Sequence, residues 1–333
     1  MIYAPVVIPT LNRYEHLGKC IDSLKNNKYA EMTELFISLD YPPSEKYIAG
    51  YKETEKYLDQ NDFSGFKAVH IYKQEKNLGP NNNSRFIDEK AFELYDRIIY
   101  TEDDNIFATN FLEFMDKGLE IFKDDDTVFS LCGYSTANSK NIAKATAKKQ
   151  NVIKSRYVYA YGMGLWKNKE AYLMAHLNRD SFKEYAQNWR NIVGLYFKSK
   201  LLFCTFVGIL ADKAFVFEPY DSLRSLWGAL NNCSQIVPTR TLVYNNGFDG
   251  SGLHSVNKEL QYENLQAFIL NQDGFEFKCH KKLKIDPTYK NEINQRFEWL
   301  KVNYKLWNDP MVYAFYRVFG EKRFFAYINR KHK

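Results

Sequence analysis

The 333-residue chain is long enough for one large domain with a smaller module, and its 45% hydrophobic and 26% charged residues are close to the globular average. A formal net charge of +6 fits an anionic partner such as a nucleotide, a phospholipid surface or nucleic acid. Five scattered cysteines without a CxxC pair argue against a disulfide framework and a zinc site, and no apolar run approaches the roughly 20 residues that cross a bilayer.

The N-terminal segment and the cysteines indicate a compartment. Residues 1–9 lack the basic region and the long apolar stretch of a signal peptide, and residues 6–8 have the pattern of a strand. Unpaired cysteines are typical of a reducing environment. We therefore expect a cytoplasmic protein that is soluble, or bound only at the inner face of the cell membrane.

The first 135 residues alternate short apolar runs with helical periodicity, which is the pattern of an α/β sheet covered by helices on both faces. Strands are predicted at residues 6–8, 35–39, 69–72 and 97–101. Helices are predicted through residues 17–24, 86–95 and 111–122, where apolar side chains recur on one face. The expected fold class is α/β, with a Rossmann-like mixed, mainly parallel sheet.

An acidic triplet, Glu102-Asp103-Asp104, directly follows the fourth predicted strand. Charge concentrated in this way is tolerated only beside a metal ion, a partner cation or solvent, and ligands of open α/β sheets collect at the carboxyl ends of strands. A Mg²⁺ or Mn²⁺ ion bridging one carboxylate to two phosphates would neutralise a nucleotide leaving group. The second acidic run, residues 124–126, follows a helix and is interpreted as a surface connection.

The rest of the chain is less regular. Residues 138–154 are polar and Lys/Ala-rich, which suggests a mobile loop or an acceptor-side insertion. Residues 161–166 are apolar and aromatic, suited either to stacking on a sugar or to core packing. Beyond residue 256 the pattern is mainly helical. Its basic aromatic tail, residues 311–333, suits either an anionic membrane surface or a helix packed on the domain.

Several sequence blocks together resemble glycosyltransferases of the GT-A fold. The first four are VIPTLNR at 7–13, SLD at 38–40, KNLGP at 76–80 and YTEDD at 100–104. The stretch 102–115 resembles N-acetylglucosaminyltransferase I-like enzymes. The blocks YDSLR at 220–224 and NGFDGSGLH at 246–254 are similar to bacterial capsule and lipopolysaccharide sugar transferases of the family 2-like type. The blocks occur in matching order from about residue 4 to 255.

This resemblance implies roles for individual residues. Asp104 would be the direct ligand of Mn²⁺ or Mg²⁺, and His254 would meet the metal or the diphosphate. Asp221 matches the general base of the inverting relatives, with Glu218 and Asp249 as rivals. The nucleotide-sugar site would comprise Pro9, Thr10, Asn12, Arg13, Asp40, Asn77, Gly79, Glu102 and Asp103.

The resemblance implies an inverting, metal-dependent transferase that moves a sugar from a nucleotide-diphosphate donor, a UDP-sugar, to a hydroxyl of a surface polysaccharide or lipid-linked glycan. Residues 1–255 would form the catalytic domain, divided near residue 135 into a nucleotide-binding and an acceptor-side part, and 256–333 a helical extension. Two alternatives stay open: a sugar-phosphate nucleotidyltransferase and a non-catalytic glycan-binding protein. Nucleic-acid binding is disfavoured because the basic residues are dispersed.

Overall fold

The computed structural model describes residues 2–137, 139–211 and 220–247, with residues 265, 268, 277–279, 283–284, 320 and 323. The strands are β1 Val6–Thr10, β2 Glu34–Leu39, β3 Ala68–Lys73, β4 Arg97–Tyr100, β5 Asn105–Phe107, β6 Val128–Cys132, β7 Val152–Ser155, β8 Met163–Trp166, β9 Ser234–Pro238 and β10 Val243–Asn245. The helices are α1 Tyr14–Lys25, α2 Ile48–Gln60, α3 Pro80–Leu94, α4 Phe111–Ile121, α5 Ser139–Ala147, α6 Lys167–His176, α7 Arg179–Gln187, α8 Trp189–Lys198, α9 Lys200–Ala211 and α10 Tyr220–Asn231.

The main sheet has eight strands in the order β3-β2-β1-β4-β8-β6-β9-β7. The pairs β2–β3, β1–β2, β1–β4 and β6–β9 are parallel, whereas β8 runs antiparallel to β4 and β6, and β7 runs antiparallel to β9. The α/β class with a mixed, mainly parallel sheet, predicted from the sequence, is confirmed. All four strands predicted in the first 135 residues are present as β1 to β4.

Two hydrophobic cores lie on the two faces of this sheet. Successive side chains of a strand point to opposite faces, and accordingly Val6 and Ile8 pack in one core while Val7 packs in the other. The first core contains residues of α1 and α4, and the second contains residues of α3 and of helices α6 to α10. Burial on both faces explains why these strands are continuous apolar runs in the sequence.

One prediction about local structure was wrong. Residues 138–154 do not form a loop throughout, because α5 occupies Ser139–Ala147 and β7 adds an edge strand at Val152–Ser155. The polar residues belong mainly to α5, whereas the four residues of β7 are buried and Lys154 donates to the hydroxyl of Thr127. The predicted helical extension, residues 256–333, and its tail at 311–333 lie outside the described residues except for the isolated positions above. Within the described residues, no helix combines the length and apolar character needed to cross a membrane.

A buried carboxyl group on α4 makes the stability of this fold depend on pH. The amide of Ala4 donates to Oδ1 of Asp116 at 2.9 Å, and Oδ2 has no hydrogen-bond partner among the described residues. Burial raises the pKa of Asp116 to about 7, although the Ala4 amide and Arg97 act in the opposite direction. The protonated form is therefore the one that the folded protein favours.

We expect Asp116→Asn to stabilise the protein by about 2 kcal/mol at pH 8 and by much less at pH 5. Because the folded pKa lies above the unfolded one, the favourable contribution of Asp116 is complete below about pH 4. It is lost as the pH rises through about 7. Asparagine keeps the acceptor for Ala4 and carries no charge. Urea unfolding of both proteins at several pH values measures the difference; two curves that stay parallel across this range would contradict it.

Candidate functional site

The candidate site begins where two central parallel strands end side by side. Val6 and Val7 of β1 pair with Ile99 and Tyr100 of β4, so the carboxyl ends of both strands lie at one edge of the sheet. Thr10 is the last residue of β1, and the acidic triplet follows β4 within two residues. The sequence expectation that these blocks meet at the edge where open α/β sheets bind ligands is thus consistent with the fold.

Arg13 and Thr10 contact the aspartates of the triplet directly. The Arg13 guanidinium donates to Oδ1 of Asp103, and its second amino group lies 2.9 Å from Oδ2 of Asp104. The Thr10 hydroxyl donates to Oδ2 of Asp103 at 2.7 Å. Burial raises the pKa of Asp103, as does the charge of Asp104, while Arg13 opposes both effects. One cation thus neutralises two buried carboxylates only in part.

A ribbon of two short strands brings a distant segment to the triplet. β10 pairs with β5 so that Asn245 lies opposite Asn105, and the amide of Asn246 donates to the carbonyl oxygen of Asp104 at 2.8 Å. The Asn245 side chain donates to Oδ1 of Asp104 at 3.1 Å. A Cβ atom on Gly247 would lie 2.1 Å from Oδ2 of Asp104, so a larger residue there would displace this carboxylate.

Asn245 was not among the predicted site residues. The available signal was its position immediately before the Asn246-Gly247 pair that opens the glycine-rich block. Its side chain accepts the Gly247 amide at 2.8 Å and donates to both Asp104 and Asn105, which fixes the end of the ribbon against the triplet. Asn245 therefore orients the carboxylate of Asp104.

Glu102 and Asp221 belong to the same electrostatic field. Burial is the main reason that the pKa of Glu102 is raised to about 8, and the charges of Asp104, Asp221 and Asp103 add to it while Arg13 opposes it. Asp221 is half-buried in the first turn of α10, and its charge also contributes to the raised pKa of Cys132 at the end of β6, after burial. The charge of Asp221 thus acts on the triplet, although Asp221 lies 117 residues after Asp104 in the chain.

The carboxylate of Asp40 is held by hydrogen bonds from nearby parts of the chain. Its Oδ1 accepts the amides of Tyr41 and Leu78 at 2.9 and 2.8 Å. Its Oδ2 accepts the Gly79 amide at 2.9 Å and the Asn77 side chain at 3.1 Å. Because a carboxylate has about four acceptor positions, the chain itself uses all of them. Asp40 therefore fixes the loop 77–79 in front of α3.

We expect Asp40→Asn to lower the free energy of unfolding by about 2 kcal/mol, because an amide nitrogen would face two N–H donors that lose their acceptor. Asn77→Ala removes only the side-chain contacts with Asp40 and with the Tyr41 carbonyl, so a loss of about 1 kcal/mol is expected. Urea unfolding measures both values. Equal losses for the two variants would contradict a central role of Asp40 in the loop.

The remaining predicted residues are placed as follows. Pro9 is half-buried within β1, and Asn12 lies in the turn after it, where its carbonyl oxygen would be 2.5 Å from a Cβ atom on Gly50. Gly50 thus allows α2 to approach this turn closely. His254, Glu218 and Asp249 lie outside the described residues, so their predicted roles stay predictions.

Two sequence interpretations concern residues away from the triplet. Trp166 and Met163 of β8 are buried, and the indole of Trp166 donates to the carbonyl of Leu119 at 3.0 Å, which assigns both residues to the core. The acidic run 124–126 connects α4 to β6, and Asp125 accepts hydrogen bonds from Thr127 in that connection. This run therefore has the surface position expected from the sequence.

The chemistry of the triplet suits a divalent cation. Carboxylate oxygens are the hard ligands that Mg²⁺ and Mn²⁺ prefer, and Oδ2 of Asp104 is held toward Arg13 at the edge of the sheet. Over residues 2–137, 139–211 and 220–247, no group of three or more His, Cys, Asp or Glu side chains forms a closed metal site. This donor set fits a cation of which phosphate oxygens and water complete the coordination.

Comparisons with known proteins give structural neighbours at low similarity. No protein-family model and no curated protein sequence matches the chain. A mannosyltransferase, PcManGT from Pyrobaculum calidifontis in complex with GDP-Man and Mn²⁺, is 13% identical with a TM-score of 0.34, covering 53% of this chain and 46% of that chain. This chain thus spans about half the length of that protein. Residues 1–349 of S. aureus TarS match with a TM-score of 0.38 at 10% identity, covering 80% of this chain and 70% of that chain. The same fragment with UDP-GlcNAc matches with a TM-score of 0.38 at 13% identity, covering 82% and 68%.

Proposed function

We propose that this protein is a glycosyltransferase that moves a sugar from a nucleotide-diphosphate donor, a UDP-sugar, to a hydroxyl group of a glycan acceptor. The observation that carries the proposal is the meeting of Arg13 and Thr10 with Asp103 and Asp104 at the carboxyl edge of the sheet. A buried pair of carboxylates with one neighbouring guanidinium suits a ligand that brings both phosphates and a cation.

On the donor side, each residue has a distinct task. Asp104 would hold a Mn²⁺ or Mg²⁺ ion, which supplies charge neutralisation for the leaving diphosphate. Arg13 offers the planar guanidinium that binds phosphate oxygens by paired hydrogen bonds, and Thr10 keeps Asp103 in place from β1. The loop 77–79, shaped by Asp40, would support the base or ribose together with Pro9, Asn12 and Glu102. His254 would approach the metal or the diphosphate.

On the acceptor side, Asp221 would act as the general base of an inverting reaction. The acceptor oxygen forms a bond to the anomeric carbon on the face opposite the diphosphate, and the bond from that carbon to the diphosphate oxygen breaks. The hydroxyl proton passes to the Asp221 carboxylate, and the electron pair leaves with the nucleoside diphosphate. The assignment is supported by the charge of Asp221, which helps to raise the pKa of Glu102 after burial and the charge of Asp104.

The acceptor would be a surface polysaccharide of the capsule, lipopolysaccharide or exopolysaccharide type, built in the cytoplasm or at the inner face of the membrane. The net charge of +6 and the basic aromatic sequence of residues 311–333 support contact with an anionic membrane that carries a lipid-linked glycan.

A donor screen tests the proposed function. Purified protein is incubated with UDP-, GDP- and dTDP-sugars and Mn²⁺, and the released nucleoside diphosphate is measured with and without a chelator. Release from a UDP-sugar that stops with the chelator is the expected result. Formation of a UDP-sugar from UTP and a sugar phosphate would show nucleotidyl transfer instead, and binding of glycans without any nucleotide release would indicate a binding protein.

A further inference from the structure

We propose that the buried ion pair between Arg224 and Glu170 is a positioning device that holds Asp221 beside the acidic triplet. The pair connects α10, which carries Asp221, to α6. Helix α6 follows β8, and β8 pairs with β4, the strand that precedes the triplet. This inference rests on the proposed function, because it assigns a task to residues that act through the general base.

The ion pair has the geometry of two parallel hydrogen bonds. One amino group of Arg224 donates to Oε2 of Glu170 at 2.7 Å, and the other donates to Oε1. Both residues are buried, at 7% and 9% exposure. A bidentate pair between guanidinium and carboxylate fixes orientation as well as distance, which a single charged contact does not.

Stability alone is a poor explanation for this pair. Taking two charges out of water costs about as much as their attraction returns, and well-packed apolar side chains of similar volume often stabilise a protein equally well. Apolar side chains are available on the same two helices: the Sδ of Met174 lies 3.9 Å from Arg224, and Leu173, Leu223 and Leu226 are buried. Compared with apolar packing, the ion pair fixes the orientation of α10 relative to α6.

Arg224 lies close to Asp221 on α10, so the ion pair restrains the part of the helix that carries Asp221. Residues three and four apart lie on the same side of a helix, so Arg224 and Ser225 lie one turn below Asp221. The Val158 amide donates to the hydroxyl of Ser225 at 2.9 Å, and this hydroxyl donates to the carbonyl oxygen of Asp221 at 2.7 Å. Two contacts therefore hold the first turn of α10. One is the hydrogen bond from Ser225 to the backbone of Asp221, and the other is the ion pair of Arg224 one turn below.

The sheet connects the first turn of α10 to the triplet. Glu170 lies in the first turn of α6, which begins directly after β8. β8 pairs with β4 from Arg97 opposite Trp166 to Tyr100 opposite Met163, and the triplet follows β4. The path from triplet to base thus runs through β4, β8, α6 and the ion pair. Each step of this path is paired or buried structure.

A third acid near the pair does not disrupt it. Burial raises the pKa of Asp88 on α3 far above its usual range, the charge of Glu170 raises it further, and Arg224 opposes both. Asp88 is thus favoured in its neutral form, which leaves Arg224 and Glu170 as a balanced pair of charges. Burial lowers the pKa of Arg224, and the charges of Glu170, Asp88 and Asp221 raise it, while the paired hydrogen bonds go to Glu170.

A double-mutant cycle between positions 221 and 224 tests the inference. Arg224→Lys keeps the charge but cannot form two parallel bonds, so we expect kcat to fall about 10- to 100-fold. The KM for the donor should change less than about twofold. In a protein that already carries Asp221→Asn, the same change should lower the residual kcat by less than about twofold, because there is no base left to position. Equal losses in both backgrounds would overturn the inference.

A second variant separates positioning from folding. Glu170→Met with Arg224→Met replaces the pair by apolar side chains, and circular dichroism with urea unfolding verifies that the fold is retained. We expect the same loss of kcat with an unchanged donor KM; a folded double variant with the kcat of the native protein would overturn the inference. Arg190→Gln, an exposed arginine on α8, is the matched control and should leave kcat unchanged. If the native protein releases no nucleotide from any donor, the proposed function itself fails.

Discussion

Replacing Asp104 with asparagine is expected to lower kcat/KM for a UDP-sugar about 1,000-fold while the fold is retained. Asparagine has nearly the same size as aspartate and keeps an oxygen that can accept a hydrogen bond from Asn245. In the native protein the Asn245 side-chain nitrogen lies 3.1 Å from Oδ1 of Asp104. It loses the charge that would hold a divalent cation against the diphosphate. Steady-state release of UDP measures the loss, and titration with Mn²⁺ should show weaker binding of the ion.

The second acidic run supplies the control for this prediction. Asp126 is exposed in the connection between α4 and β6, so Asp126→Asn makes the same chemical change outside the site. We expect its kcat/KM and its Mn²⁺ affinity to equal those of the native protein. An Asp104→Asn protein that is folded, binds Mn²⁺ normally and releases UDP at the native rate would contradict the assignment of Asp104.

Replacing Asp221 with asparagine is expected to lower kcat about 100- to 10,000-fold, because the acceptor proton then has no base to receive it. Donor binding should persist, since Asp221 would contact the acceptor and not the nucleotide. Removing the charge of Asp221 should also lower the pKa of Glu102. Burial and the charge of Asp104 raise this pKa most, and Asp221 raises it further. Product formation with a glycan acceptor measures kcat, and calorimetry with UDP measures donor-site affinity.

The two rival bases make this prediction discriminating. Glu218→Gln and Asp249→Asn are made in parallel and should each keep most of the native kcat. A loss confined to one of these two variants, with Asp221→Asn close to native, would transfer the role of base to that residue. A strong loss of UDP affinity in Asp221→Asn would show that Asp221 contacts the donor instead.

The sheet could be predicted from the sequence because its strands are buried on both faces. Short, mainly apolar runs such as residues 35–39 and 98–100 are distinctive, and the triplet after β4 marks the end of a strand by a change to acidic residues. The order of the strands in the sheet could be predicted from chain order only in part. The antiparallel insertion of β8 between β4 and β6 was not predicted, since a four-residue strand with two glycines nearby has a weak pattern.

Contacts between distant residues account for most of what the sequence did not predict. Four hydrogen bonds from Tyr41 and the loop 77–79 hold the carboxylate of Asp40, and the sequence did not predict these contacts. Asn245 contacts Asp104 only because β10 pairs with β5, which a three-residue strand does not reveal in sequence. The pairing of Arg224 with Glu170 likewise depends on how α6 and α10 pack, and no spacing in the sequence encodes it.

We infer that Asp104 and Arg13 form a site for a nucleoside diphosphate with a divalent cation. A crystal structure of the protein with UDP and Mn²⁺ tests it most directly. We expect the ion to be bound to a carboxylate oxygen of Asp104 and to phosphate oxygens, with Arg13 and Thr10 at the same edge of the sheet. UDP bound elsewhere, or bound at this edge with the ion away from Asp104, would contradict it.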